Sequence, residues 1–415
     1  MLAAGSPPTT AFGISVDRRI LRLGAMSCLG LPPRARSMQY GGGAVIRMQR
    51  FRTSMMRLGK EVEVETARNG EDIWALNTGG LSAKKGFPEH LVIMVNGLVG
   101  SAEDWRFAAA QFVRKQHNTV IVHRSECNSS RLTFDGVDLM GERLADEVLS
   151  VVNKRRGLHK ISFVAHSLGG LIARYAIGRL YDLTNRFSPA TEIHLKEDGN
   201  LQGRIAGLEA MNFITFASPH LGSRGHKQLP FLCGLPFLEQ RASEAAHLIV
   251  GRTGNHLFLT DNDDGRPPLL LRMVHDCDDI KFISALRSFK RRVTYANANY
   301  DHMVGWRTSS IRRQQDLPKY HLLVEDKNYQ HIVHVDKGDN KNSIVEMLSD
   351  SVVQNYDLEE AMIQGLSQVP WERVDVSFQK SGQRYIAHNT IQVKSYWLNS
   401  DGADVVSHMI DNFLI

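Results

Sequence analysis

Residues 160–175 read Lys160-Ile161-Ser162-Phe163-Val164-Ala165-His166-Ser167-Leu168-Gly169-Gly170-Leu171-Ile172-Ala173-Arg174-Tyr175. Ile161 to Ala165 is a short apolar run, as in a buried strand, and from Leu171 the apolar spacing becomes helical. Between them stand a histidine, a serine and two glycines. This is the strand–turn–helix setting that presents a serine as a nucleophile, with Ala165 at the first position of the G-x-S-x-G pattern. The sharp turn is expected to force Ser167 into strained backbone space, with Ala165 and Gly169 small enough for strand and helix to approach. The helix N-terminus then offers backbone N–H groups to an oxyanion. The alternative is a serine that only caps the helix, which leaves the two glycines and His166 unexplained.

Outward from this stretch, strands and helices alternate. Leu91 to Val95 is a continuous apolar run, expected as a strand covered on both faces, and it ends in Asn96-Gly97-Leu98-Val99-Gly100-Ser101. Asp104 to Lys115 is expected as a helix, Thr119 to Val122 as a strand, and Leu139 to Val152 as an amphipathic helix. Asn212 to Ala217, Val293 to Asn299 and Val374 to Phe378 continue the sheet, and Ala403 to Leu414 closes the chain as a helix. The alternation predicts an α/β fold with a mostly parallel, doubly wound sheet. Glu61 to Glu65 and Ile73 to Leu76 flank Asn69-Gly70, which predicts an N-terminal hairpin. The periodicity breaks between about 223 and 274, where Leu229 to Leu238 is apolar but interrupted by Pro and Gly. That insertion suits a lid over a hydrophobic site or, equally, an ordinary loop packed on the body. Ligands of such sheets bind at the carboxyl ends of the strands, where Ser167 and Asn96-Gly97 both fall.

The chain has 415 residues, of which 42% are hydrophobic and 23% charged, as in a globular protein with a sizeable core. No apolar run approaches a membrane-spanning length. Cys28, Cys127, Cys233 and Cys277 form no C-x-x-C, which fits a reducing compartment. With no metal-spaced His/Cys cluster and no Gly-rich phosphate loop, neither a metal nor a cofactor is expected. The net charge of +6 is unevenly placed. Residues 1–60 hold nine Arg and one Lys against Asp17, while the remainder holds 40 basic and 43 acidic residues. A body near neutrality argues against nucleic-acid binding, which needs a basic stripe on the domain itself. The chain is therefore read as a basic leader over 1–60 and a single domain over 61–415. The leader is expected as a transit peptide for plastid or mitochondrion, or as a basic arm that touches anionic membrane, the protein being otherwise cytoplasmic.

A serine hydroxyl needs a histidine to take its proton and a carboxylate to orient that histidine. In this kind of sheet the chain order is Ser, acid, His. Asp301 follows the strand Val293 to Asn299; Asp276, Asp278 and Asp279 compete but read as N-terminal charges of a following helix. His388 lies between the last strand and the closing helix, and His408, within that helix, is its rival. His220 and His302 lie beside the loops of the site. The oxyanion donors are expected to be the backbone N–H groups of Leu168 and Leu98, with Gly97 allowing close approach.

Taken together, Val95 to Ser101 with Asp104-Trp105, Ala165 to Gly170 with Ala173-Arg174-Tyr175, Ser218-Pro219-His220-Leu221-Gly222 and Ala387 to Val393 resemble a known family. It is the lipase-like serine esterase family of the α/β-hydrolase superfamily, and its plant branch looks closest. The resemblance spans about Glu61 to the C-terminus. It implies an α/β-hydrolase fold and a triad of Ser167, Asp301 and His388, with acyl lipids as substrates and an acyl-enzyme as intermediate. Acyl transfer on the same site and a catalytically silent scaffold are the alternatives. One departure stands out: many relatives have His-Gly where this chain has Asn96-Gly97. Peripheral contact with a membrane, to reach substrate, is the further expectation.

Overall fold

Strand β3 (His90–Val95) shows how the sheet is covered. Leu91, Ile93 and Val95 enter one apolar core and Val92 and Met94 the other, because successive side chains of a strand point to opposite faces. The protein is described by a computed structural model over residues 64–66, 72–74, 88–116, 119–181, 203–223, 251–338 and 358–415. The leader over 1–60 and the Leu229 to Leu238 segment, read as a lid or an ordinary loop, lie outside the described residues.

The remaining strands are β1 (Val64–Thr66), β2 (Asp72–Trp74), β4 (Val120–Arg124), β5 (Lys160–His166), β6 (Glu209–Phe216), β7 (Arg291–Asn297), β8 (Ile332–Asp336) and β9 (Glu372–Val376). They form one sheet in the order β1-β2-β4-β3-β5-β6-β7-β9-β8. Strands β4, β3, β5, β6, β7 and β9 run parallel. The expected hairpin is present but short, with Val64 opposite Trp74. Strand β8, antiparallel to β9 at the sheet edge, was not anticipated. Only Ile332 and Val333 of its five residues are buried, too few for a period-2 signal.

Three helices follow the parallel strands: α1 (Arg106–Lys115) after β3, α2 (Val137–Lys154) after β4 and α3 (Leu168–Leu180) after β5. In α2 the buried residues Val137, Met140, Gly141, Leu144, Ala145, Val148 and Val151 recur at three- and four-residue spacing, the stripe of a helix laid on a core. Gly141 is required there, because a Cβ would sit 2.4 Å from the Tyr175 ring of α3. Both helices face the Leu91 side, while α1 and the closing helix Ala403–Asp411 cover the Val92 side. Helix α3 begins three residues before the apolar periodicity suggested, since Leu168, Gly169 and Gly170 form its first turn directly under the nucleophile turn.

The described end of the 223–274 insertion is helical over residues 251–258. It is stapled to the start of α2. Thr253 Oγ1 accepts the Gly136 N–H at 3.0 Å and His256 Nδ1 accepts the Val137 N–H at 3.0 Å.

Candidate active site

The turn after β5 holds Ser167 at φ 54° and ψ −128°, a region that costs a non-glycine residue about 1–3 kcal/mol. Its N–H is held by the Phe216 carbonyl at 2.8 Å. The glycines after it meet hard limits: a Cβ on Gly169 would lie 2.6 Å from the Val95 and Asn96 carbonyl oxygens, and one on Gly170 would strike Ser218. The turn therefore closes only against β3 and β6 as they stand. Ser167 makes no capping bond to α3, so the helix-cap alternative fails. Its Oγ lies 3.0 Å from His388 Nε2.

His388 stands on the short helix Ala387–Thr390, which follows β9. Its Nδ1 lies 3.0 Å from Asp301 Oδ2. Asp301 follows β7, directly after Tyr300 at φ 58°. Asn297 Nδ2 donates to Oδ2 at 2.8 Å, and the Met303 and Val304 N–H groups donate to Oδ1 at 3.0 and 2.9 Å. Burial pushes this carboxyl up. The charge of His388 and the hydrogen bonds from His388, Val304 and Asn297 outweigh it and hold Asp301 below the ordinary carboxylate range. An ionised Asp301 keeps the proton of a neutral His388 on Nδ1. Nε2 is then free to accept from the serine hydroxyl.

Of the competing residues, Asp276, His408 and His220 have other partners, and Asp278 and Asp279 are exposed. Asp276 Oδ1 accepts the N–H groups of Ile283 and Ser284 at 2.9 and 3.0 Å, serving the start of the helix Phe282–Ser288. His408 Nδ1 is 2.9 Å from the Tyr295 hydroxyl. His220 is fully buried and bonded to Thr215 Oγ1 at 2.9 Å, and burial holds it neutral. His302 is exposed.

The two expected oxyanion donors belong to the turn after Ser167 and to the loop after β3. Leu168 N–H is the first of α3, and the Gly97–Leu98 peptide packs against Ser167 so closely that a Cβ on Gly97 would be 2.9 Å from Ser167 Cβ. Neither N–H has an acceptor among the described residues. Val99, next in the loop, is held at φ 53° with its N–H on Thr133 Oγ1 at 2.9 Å. Asn96 donates to the Asn128 carbonyl at 2.9 Å. It thus ties the loop after β3 to the loop after β4.

Sequence reasoning missed two supports of the site. His166 Nε2 lies 2.7 Å from the His388 carbonyl oxygen, with the rings 4.7 Å apart. Burial first, and then the neighbouring His388, lower its pKa well below that of a free histidine, so a neutral ring donates Nε2–H to that carbonyl. The only signal was its place just before the nucleophile. Lys394, on the histidine loop, pairs with Asp104 at 3.1 Å and so fastens that loop to the one after β3. Burial pushes Asp104 up more than Lys394 pulls it down.

One group of metal-type side chains exists among the described residues: Asp138, His256 and Asp263. Arg252 pairs with both carboxylates, at 2.7 and 2.9 Å. His256 Nδ1 accepts the Val137 N–H, which leaves the proton of a neutral ring on Nε2. A bridging guanidinium and a protonated nitrogen do not make a cation site.

Residues 86–311, just over half of the chain, match the family model described as "Putative serine esterase (DUF676)". The chain is 29% identical over 245 residues to "Putative lipase ROG1" of Saccharomyces cerevisiae, covering 58% of this chain and 31% of that protein. It is 27% identical over 252 residues to "Putative lipase C4A8.10" of Schizosaccharomyces pombe, covering 58% and 28%. The chain thus spans about a third of the length of the curated relatives it matches. Among solved structures it is similar to Bacillus licheniformis lipase BlEst2 in mature form, with TM-score 0.31 and 16% identity over 53% of this chain and 71% of that one. It is also similar to phospholipase PlaB from Legionella pneumophila, with TM-score 0.30 and 16% identity over 51% and 38%.

Proposed function

We propose that this chain, which belongs to the "Putative serine esterase (DUF676)" family, is a serine carboxylic-ester hydrolase acting on acyl lipids. The observation that carries the reading is the unbroken relay in which Ser167 Oγ meets His388 Nε2 and His388 Nδ1 meets Asp301 Oδ2, with both distances 3.0 Å. Relatives named as lipases support the lipid class of the ester.

In this reading His388 Nε2 takes the Ser167 proton as Oγ attacks the ester carbonyl. The oxyanion that forms is held by the N–H groups of Leu168 and Leu98, each such donor worth about 2.7–4 kcal/mol. Asp301 stabilises the imidazolium without itself taking the proton. His388 then protonates the departing alcohol, leaving an acyl ester on Ser167. Water, deprotonated by the same Nε2, attacks that ester, and Nε2 then returns the proton to Ser167 Oγ as the acid is released. The Arg-rich residues 1–60 are proposed to direct import into plastid or mitochondrion; a fluorescent fusion that stays in the cytosol overturns this.

Fluorophosphonate labelling tests the mechanism. Wild type is expected to label, and Ser167→Ala and His388→Ala to lose labelling. Folded wild type that does not label in detergent overturns the reading. Product analysis with an added alcohol separates hydrolysis from acyl transfer.

A further inference from the structure

Besides Tyr320, Leu322 and Val324 before β8, a set of exposed large apolar side chains lies at one end of the sheet. They follow the carboxyl ends of β3 (Val99, 51% exposed), β4 (Leu132, 43%) and β9 (Tyr385, 65%; Ile386, 41%; Trp397, 80%; Leu398, 53%). This is the end at which Ser167 sits. The β9 members bracket His388 on one loop, whose parts are cross-bonded: Gln383 Nε2 donates to Ser400 Oγ at 3.1 Å and Asn399 Nδ2 to Thr390 Oγ1 at 3.0 Å. The rim is anchored on both flanks. Tyr385 meets the ring of Tyr300 beside Asp301 at 5.8 Å, and Tyr396 stacks on Phe107 of α1 at 5.0 Å. Solvated Trp and Tyr with aliphatic neighbours form a costly water-facing surface unless something apolar covers it.

Charge decides what that cover is. At this end Glu103 and Asp104 pair with Arg124 and Lys394, and Asp135 and Asp138 with Arg143 and Arg252, while Glu126 is exposed after β4. Asp401 is turned to Ser381 Oγ at 2.6 Å. Arg131, beside Leu132, and Arg384, beside Tyr385, have no carboxylate partner among the described residues. Arg384 instead lies over the Tyr385 ring at 4.7 Å. Aromatic and aliphatic side chains flanked by unpaired arginines match the boundary between acyl chains and anionic headgroups.

We infer that this rim is a docking surface for an anionic lipid bilayer, with Trp397 and Tyr385 as its anchors. The inference rests on the proposed ester chemistry only for its purpose: it sets Ser167 against the surface from which an acyl lipid would leave. The binding itself requires no turnover and is therefore tested with the full-length Ser167→Ala chain. The probe is vesicles of equal parts phosphatidylcholine and phosphatidylglycerol.

Sedimentation with vesicles is expected, together with a blue shift of tryptophan emission and quenching by bromine-labelled acyl chains. Trp397→Phe should abolish the shift and the quenching. Trp397→Ser with Leu398→Ser should weaken partitioning on the order of tenfold or more, and Arg131→Gln or Arg384→Gln about fivefold each. These variants should still cleave a short soluble ester at the wild-type rate in an otherwise unchanged chain. Sedimentation without a Trp397 signal would mean that the basic leader alone binds, and would overturn the inference. So would partitioning that the double substitution leaves unchanged, or a dimer in solution that buries Trp397 and excludes vesicles. Loss of ester hydrolysis with docking intact would refute the ester reading and not this one.

Discussion

Asp301→Asn should separate orientation from folding at this site. In the wild type, Oδ2 faces two donors, Asn297 Nδ2 at 2.8 Å and His388 Nδ1 at 3.0 Å. The amide can keep Oδ1 under the N–H groups of Met303 and Val304, but it then presents NH₂ where Oδ2 stood. Asn297 can adapt, because its own Oδ1 is buried without a partner; turning the amide over supplies the missing acceptor. His388 can adapt only by moving its proton to Nε2, so that Nδ1 accepts. That tautomer points a donor at Ser167 and can no longer take its proton. The expected loss is on the order of 10⁴ in kcat, equivalent to about 5.4 kcal/mol of barrier, with a melting temperature near that of wild type. The assay is hydrolysis of a p-nitrophenyl ester with active sites titrated by fluorophosphonate, and Asp276→Asn serves as the control that should leave kcat unchanged. A folded Asp301→Asn enzyme within tenfold of wild type would refute the assignment of the orienting role to Asp301.

Other substitutions probe the supports. His166→Leu removes the 2.7 Å bond to the His388 carbonyl; kcat should fall roughly 10–100-fold with KM little changed, and His166→Gln should recover part of it, while equal activity of all three would end the positioning role. Gly169→Ala forces a methyl to 2.6 Å from two carbonyl oxygens of β3 and its loop, so a loss of about 1–3 kcal/mol in chemical denaturation is expected; wild-type stability would show that strand and helix can part. Burial lowers His90 to about 3, whereas an unfolded histidine titrates near about 6.5. Between those values the unfolded chain binds the extra proton, so stability falls as pH drops. His90→Gln, which can still bond Ser162 Oγ, should remove about 1.4 kcal/mol per pH unit from that slope. Urea midpoints with the same slope in both proteins would contradict it.

Much of the sheet was legible locally. The apolar runs of β3 and β5 are buried on both faces, and such strands show themselves without any partner. The 16 residues from Lys160 to Tyr175 contain the strand, the turn and the helix start that place Ser167, all within reach of local backbone sterics. Strand β8 was not legible, because an edge strand with two buried residues has little pattern to show. Asp301 and His388 were legible as positions after late strands, but the sequence left competitors for both.

What separated them lies in tertiary contact. His388 is 221 residues from Ser167 and 87 from Asp301, and strand order alone brings the loops after β5, β7 and β9 to one rim. His408, similar in sequence position, instead meets Tyr295 of β7 and the ring of Tyr329. The bond from His166 to the His388 carbonyl spans 222 residues, and no local pattern encodes a distance of that kind. Sequence thus determined which segments become strand, elbow and helix, since those depend on neighbours along the chain. Only the folded sheet decided which histidine meets the serine and what holds it there, since that depends on which strand ends become neighbours in space.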